Sequence, residues 1–299
     1  MKKAFIQLHI AVFLAGFTAI LGKLIQLNEG MLVWYRMFIT VVVLGAWMYY
    51  KKQLQVVPKK DLLRIAGVGA IIALHWLLFY GSIKYANVSV ALVCFSATGF
   101  FTALFEPFIL RTKMIWIELV LGLLAIAGIY IIFDFHPQFK MGIIFGILSA
   151  VGSALFPIFN KQLLTRFQPL TLTLYELAGG VCFLSVVLPF YHQWFPAAYY
   201  WPVLSDWLWL LILSVLCTVV MFNLQLFALQ KISAFTANLT FNLEPLYGII
   251  MAFIFFNESN MLRKEFFIGL ALIVLAVVLQ MFSVMRIAKK NKAIRNMPA

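Results

Sequence analysis

The sequence predicts an all-α membrane protein of ten transmembrane helices, arranged as two inverted five-helix repeats. Three observations predict it. Of the 299 residues, 64% are hydrophobic and only 11% charged, and the mean hydropathy is +1.00. Soluble domains carry roughly 25% charged residues, so this chain has too little charge to cover a water-facing surface. Its apolar residues fall into ten blocks, each long enough to cross about 30 Å of hydrocarbon. The chain also matches itself at an offset of 147 residues, which places five blocks in each half. Helices are the expected form, because a helix satisfies its own backbone polar groups in lipid.

The first block, Ala4–Ile25, follows Met1-Lys2-Lys3 and imitates a secretory signal. Its apolar run is long, no A-x-A site closes it, and it has a counterpart later in the chain, so it is read as a span. Ala11, Ala15, Thr18 and Gly22 form a stripe of small residues, the pattern of close helix packing. The second block, Leu32–Tyr50, carries Arg36. The third, Leu62–Ile83, has an aromatic stripe of Trp76, Phe79, Tyr80 and Ile83, with His75 beside it. The fourth, Val88–Leu110, sets Thr98, Thr102 and Glu106 at i, i+4 and i+8, and Glu106 lies within reach of a pairing with Arg111 or Lys113. The fifth is Met114–Phe133.

The sixth block, Met141–Phe159, opens the second half with a stripe of Ser149, Ser153, Phe156 and Asn160. The seventh, Leu170–Tyr191, carries Glu176 in a place matching Arg36, as Tyr175-Glu176 against Tyr35-Arg36. Charge inside a span costs about 2.5–3.5 kcal/mol on insertion scales, so these two residues suit gate or anion-steering roles, or else snorkelling or a structural pair. The link from His192 to Asp206 holds Trp194, Tyr199, Tyr200 and Trp201, the chemistry of an interfacial aromatic belt. The eighth block, Trp207–Leu229, has Asn223 and Gln225 near its middle. In the ninth, Ala234–Phe256, Asn238, Phe241, Asn242 and Pro245 share one helix face, while Glu244 is turned about 200° from Asn242. Pro245 removes a backbone donor and frees a carbonyl one turn back. A carboxylate beside such a break suits a proton or substrate site; the alternative is a structural kink whose Glu244 bonds Thr240. The tenth block is Phe266–Met285.

Lysine and arginine orient the bundle. With the N-terminus inside, 17 of them fall on inner segments and 4, Lys84, Lys140, Arg263 and Lys264, on outer loops. Lys23 and Arg36 lie within or at the ends of spans. That split predicts both termini in the cytoplasm of a bacterial inner (plasma) membrane. The net charge of +13 is therefore read as membrane orientation, and no nucleic-acid partner is expected, since no basic face is interleaved with exposed aromatics. Cys94, Cys182 and Cys217 sit singly in apolar blocks, and the four histidines lack ligand spacing, so neither cofactor nor metal is expected. The ionisable groups are too dispersed for a membrane-embedded enzyme, the leading alternative beside a non-transporting accessory subunit. No P-loop is present for direct ATP drive.

The self-match lays Tyr80–Phe133 over Phe227–Gln280, with 8 identities in 54 positions, among them Lys84 on Lys231, Glu118 on Glu265 and Gly122 on Gly269. Five spans per half is an odd number, so the second half enters the membrane upside down, the usual architecture of secondary transporters. The halves are read as residues 1–136 and 137–299, the second with a short basic tail. Phe227-Ala-Leu-Gln-Lys-Ile-Ser-Ala, Asn242-Leu-Glu-Pro-Leu, Asn257-Glu258 and Gly269-Leu-Ala-Leu-Ile resemble the second repeat of EamA-type members of the drug/metabolite transporter superfamily. Tyr80-Gly-Ser-Ile-Lys-Tyr-Ala through Gly122 resembles the first. The first repeat departs from the family pattern with Thr98 in place of a proline and Arg111 in place of an acid; the second keeps Pro245 and Glu258. The resemblance implies a central cavity lined by helices one, three, four, six, eight and nine, with five and ten at the periphery. It also implies export of a small metabolite.

Together these readings predict a secondary transporter working by alternating access on a small polar or zwitterionic substrate, amino-acid-like compounds favoured. Its partners are that small molecule and the bilayer, with homodimer assembly left open. Trp76, Tyr80, Thr98, Ser153, Asn223, Asn238, Phe241 and Asn242 are the candidate substrate residues. Aromatic walls supply contact area and amides fix orientation. Glu244, Arg36 and Glu176 are the candidates for proton coupling or gating.

Overall fold

A computed structural model describes residues 2–111, 113–135, 137–229, 240–241 and 243–295, and among these residues there are helices and no strand. The helices are α1 (Lys2–Leu24), α2 (Glu29–Tyr50), α3 (Lys59–Tyr85), α4 (Val88–Phe95), α5 (Thr98–Leu110), α6 (Trp116–Phe135), α7 (Lys140–Leu163) and α8 (Pro169–Trp194). After them, α9 (Leu204–Leu211), a π-helical stretch (Ile212–Val220) and α10 (Met221–Leu229) run on without a gap. Last come α11 (Glu244–Phe256) and α12 (Lys264–Arg295). Seven helical segments are long and apolar enough to cross a membrane, and Trp116–Ile132 and Glu244–Phe256 are shorter apolar helices.

The turns follow from local chemistry. Asn28 Oδ1 accepts from Met31 N at 2.9 Å and Asn87 Oδ1 from Val90 N at 2.8 Å. Both are N-caps, each satisfying an orphan donor at a helix start. These caps allow the α1–α2 and α3–α4 connections to be short. Arg111 and Asn257 close α5 and α11 in the left-handed conformation, with φ of 55° and 51°, so the two equivalent helices end in the same way.

The fourth expected span is two helices, α4 and α5, parted at Ser96–Ala97. The offset of 147 carries Thr98, the first residue of α5, onto Pro245 in the first turn of α11. The first half therefore breaks at the same place without a proline. Ser96 Oγ donates to Val93 O, and Thr98 Oγ1 donates to Phe95 O at 2.7 Å. These hydroxyls engage carbonyls at the break, an arrangement that competes with the helix ladder. Thr102 likewise donates to Thr98 O at 2.9 Å.

α3 packs on α7 and α8, while α1 packs on α10 and the π stretch, which also holds α2. α1 lies on α11 as α7 lies on α4 and α5. α2 with α8, α4 with α11, α6 with α12 and α5 with α6 are further packings. Exchanging the first five expected spans for the second five pairs α3–α7 with α10–α1, α3–α8 with the π stretch on α2, and α7 on α4 and α5 with α1 on α11; it returns α2–α8, α4–α11 and α6–α12 to themselves and leaves α5–α6 without a counterpart of that size. The small-residue stripe of α1 does allow close approach. A Cβ at Gly22 would enter the Tyr80 ring, and one at Gly16 would meet Glu244 O at 3.0 Å.

Candidate functional site

A cavity of about 330 Å³ lies among these helices. Ala15 and Thr18 of α1, Arg36 of α2 and Ile72, His75, Trp76 and Phe79 of α3 line one side. Phe95 closes α4 toward it. Ser153, Phe156, Pro157 and Asn160 of α7, Thr173, Glu176 and Leu177 of α8, Met221 and Phe222 of α10, then Phe241 and Glu244 complete the wall. The volume sits at the small end of the ~300–1,000 Å³ range of ligand pockets.

Arg36 is buried, 3% exposed, and among the described residues its hydrogen-bond and ring partners are neutral groups. Its Nη1 donates to Tyr80 Oη at 2.7 Å, and its Nε and Nη2 donate to Thr218 Oγ1 at 3.3 and 3.2 Å. The guanidinium carbon stands 3.7 Å from the centroid of the Trp76 ring, a cation–π stack. Tyr80 is held in turn by the space that Gly22 leaves. Glu176 is also 3% exposed; Asn160 Nδ2 donates to its Oε2 at 3.3 Å, while Oε1 is buried without a partner. Glu244 has no hydrogen-bond partner among the described residues. None of the three ion pairs among the described residues includes Arg36, Glu176 or Glu244.

An aromatic wall faces these charges. The His75 ring stacks with Phe95 at 5.7 Å and Phe156 at 6.1 Å, and Phe79 meets Phe95 edge-on at 5.4 Å. Ser149 fixes the histidine: its carbonyl and its hydroxyl each stand 2.9 Å from Nδ1, and the hydroxyl donates to His75 O at 3.0 Å.

Of the residues expected from sequence, Trp76, Ser153, Phe241, Glu244, Arg36 and Glu176 line the cavity. Tyr80 does not line it; it is fully buried and accepts a bond from Arg36. Thr98 faces its own helix break, and Asn223 Nδ2 donates to Val219 O one turn back at 2.9 Å; neither lines the cavity. Asn238 and Asn242 lie outside the described residues. Glu106 pairs with Lys161 at 2.7 Å rather than with Arg111 or Lys113, because α5 packs on α7. Two of the three charges, Arg36 and Glu176, come from the second and seventh spans, which the family resemblance had left off the cavity; Glu244 comes from the ninth, which it had included. Thr173 was missed in the sequence, although it stands three residues before Glu176 and so shares its face.

The two ends of the bundle differ. At the α1–α2 end, Glu258 is fully buried and accepts from Lys23 Nζ at 2.8 Å, Val88 N at 3.1 Å, Ser89 N at 2.8 Å and Ser89 Oγ at 2.7 Å. Asp206, also fully buried, accepts from Gln26 N at 2.8 Å, and Lys84 donates to Ile25 O. This end is sealed by polar ties over buried Leu21, Ile25 and Leu27. At the other end, Arg166 grips Asp61 through two bonds of 2.7 and 2.8 Å. The cavity extends toward that end as far as Asn160 and Thr173.

The EamA-like transporter family model matches residues 2–134 and again 140–282. An uncharacterized transporter of Clostridium kluyveri is 23% identical over 297 residues, covering 93% of each chain. The uncharacterized transporter YetK of Bacillus subtilis is 25% identical over 291 residues, covering 91% of this chain and 84% of its own. An uncharacterized transporter of Archaeoglobus fulgidus is 25% identical over 172 residues, 57% of this chain, and this chain spans only 59% of that relative's length. A protein known from a crystal structure superposes with a TM-score of 0.63 at 15% identity, over 96% of this chain and 99% of its own, and so shares the fold.

Proposed function

The chain belongs to the EamA-like transporter family and is a multi-pass membrane transporter, and on that premise we propose that it is a secondary transporter carrying a small zwitterionic metabolite by alternating access. The observation that carries this reading is the cavity with Arg36, Glu176 and Glu244 on its walls and no ion pair among them. Charge buried in a membrane protein and left unpaired is expensive, and such groups commonly mark a substrate or proton path. The aromatic wall supplies contact area for the apolar part of the cargo.

Ten spans in two inverted repeats, residues 1–136 and 137–299, account for the exchangeable packings and for the matching breaks of α4–α5 and α11. With both termini in the cytoplasm, the sealed end of the bundle is the outer one and the cavity leans inward, the arrangement that loads cargo from the cytoplasm. Export, amino-acid-like cargo and proton coupling through Glu244 complete the reading. The decisive experiment is flux in proteoliposomes with labelled amino acids, sugars, organic phosphates and cationic drugs. Saturable movement of amino acids or related zwitterions is expected. Movement of phosphates or drugs alone would overturn the substrate class, and no flux of any solute would overturn the transport mechanism.

Orientation has its own test. Ala198, exposed in the α8–α9 loop, and Gln55, exposed in the α2–α3 loop, fall on opposite sides in this topology. An impermeant thiol reagent added to intact cells should label Ala198→Cys and spare Gln55→Cys. The reverse pattern would invert the bundle.

A further inference from the structure

Arg36 makes no ion pair among the described residues. A guanidinium has five N–H donors, and three are used, on Tyr80 and Thr218. Two remain. Trp76 covers one face of the group, and the Tyr80 and Thr218 bonds fix its plane, so the fork is held in one orientation before any ligand arrives. Such a planar, pre-set fork matches a carboxylate, which takes two parallel N–H bonds. A lysine used only as a point charge would need none of this support.

The acids of the cavity do not neutralise Arg36. Glu176 keeps a buried, unpartnered Oε1, and the Glu244 carboxylate makes no ion pair among the described residues. Both line the same cavity as Arg36. A site that holds opposite charges apart, none of them ion-paired among the described residues, is complementary to a molecule that also holds opposite charges apart. We propose that Arg36 receives the carboxylate of the transported molecule, while its protonated amine faces Glu176 and Glu244. This rests on the reading of the cavity as the cargo site. It makes Arg36, rather than the asparagine amides, the residue that sets specificity. Two acids against one base leave one acid spare when a zwitterion is bound. A single proton on that acid makes the loaded site electrically neutral, which lowers the cost of moving it through a low-dielectric path.

The test is binding, measured by thermal stabilisation of the purified protein in detergent. The probes are the protein amino acids as free acids and as their carboxamides. At least one free acid should stabilise the wild-type protein, with its amide weaker by roughly 10- to 100-fold, the scale of a lost hydrogen bond to a charged group. That comparison needs no variant, so it stands even where substitution of Arg36 impairs folding. Arg36→Lys should weaken the acid by a similar factor and keep some preference over the amide; Arg36→Gln should abolish the preference. Amides that bind as well as acids would overturn the carboxylate receptor, as would the absence of binding by any free acid. Either result leaves the transport reading to the flux experiment. Conversely, acid-selective, Arg36-dependent binding without flux would sustain this proposal while defeating the transport mechanism.

Discussion

Glu244→Gln is expected to abolish uphill transport while leaving substrate exchange in place. Coupling needs a group whose protonation differs between the two states of the carrier. Glu244 stands in the first turn of α11, beside Pro245 and opposite Gly16 of α1, where the two helices touch through backbone. Its carboxylate lines the cavity and makes no ion pair among the described residues, so it can take up a proton without breaking one. Glutamine keeps the shape and cannot take up or release that proton. Accumulation against a gradient should fall to the level of empty vesicles, whereas counterflow of labelled against unlabelled substrate needs no net proton movement and should persist. Glu176→Gln is expected to differ. It removes one of the two carboxylates facing the amine and should weaken apparent affinity by roughly 10-fold or more, with coupling kept. Wild-type accumulation and pH dependence in Glu244→Gln would return Glu244 to a structural role at the helix break.

How much of this was legible in the sequence depends on whether the determinant is local. Spans, caps and the closure of the long apolar blocks are local, and the expected boundaries fall within a few residues of α1, α2, α3, α6, α7 and α8. The interruption of the fourth span was not read, because Thr98 lacks the signature of proline; only the hydroxyl bonds of Ser96 and Thr98 show what replaces it. The π stretch at Ile212–Val220 left no mark either, since its residues are ordinary for an apolar helix. At the site, Arg36 and Glu176 were singled out by the cost of charge in lipid, a residue-level argument. Their convergence on one cavity is tertiary. It depends on α2 and α8 packing together, and on Tyr80 and Thr218, from two other spans, holding the guanidinium. The amide of Asn223 shows the converse. A polar side chain mid-span looks like a ligand, yet it donates to its own helix one turn away.

Removing the Glu258 carboxylate should open the sealed end of the bundle. Four donors from two separate elements converge on this one buried group: Lys23 from α1, and the backbone and hydroxyl donors of Val88 and Ser89 at the start of α4. Glu258 thereby caps α4 and ties it, through the end of α11, to α1. Lys23 is partly exposed, so the loss falls mainly on the buried donors of Val88 and Ser89, whose hydrogen bonds to a charged group are worth about 1.5–3 kcal/mol. If that cost falls on the sealed state alone, the balance moves toward the outward-open state by roughly 10- to 100-fold. Ser153→Cys on the cavity wall reports it, through labelling by an impermeant thiol reagent applied from outside and compared with protein lacking the added cysteine. Labelling should rise steeply in Glu258→Ala. Lys23→Met should raise it less, because Glu258 would keep its three bonds to α4 and only the partly exposed lysine would be lost. The grading separates a latch from general loosening, in which both variants would label alike and lose thermal stability together. Unchanged labelling in Glu258→Ala, in protein that remains folded and monodisperse, would mean that the buried leucine and isoleucine layer beneath seals the end without it.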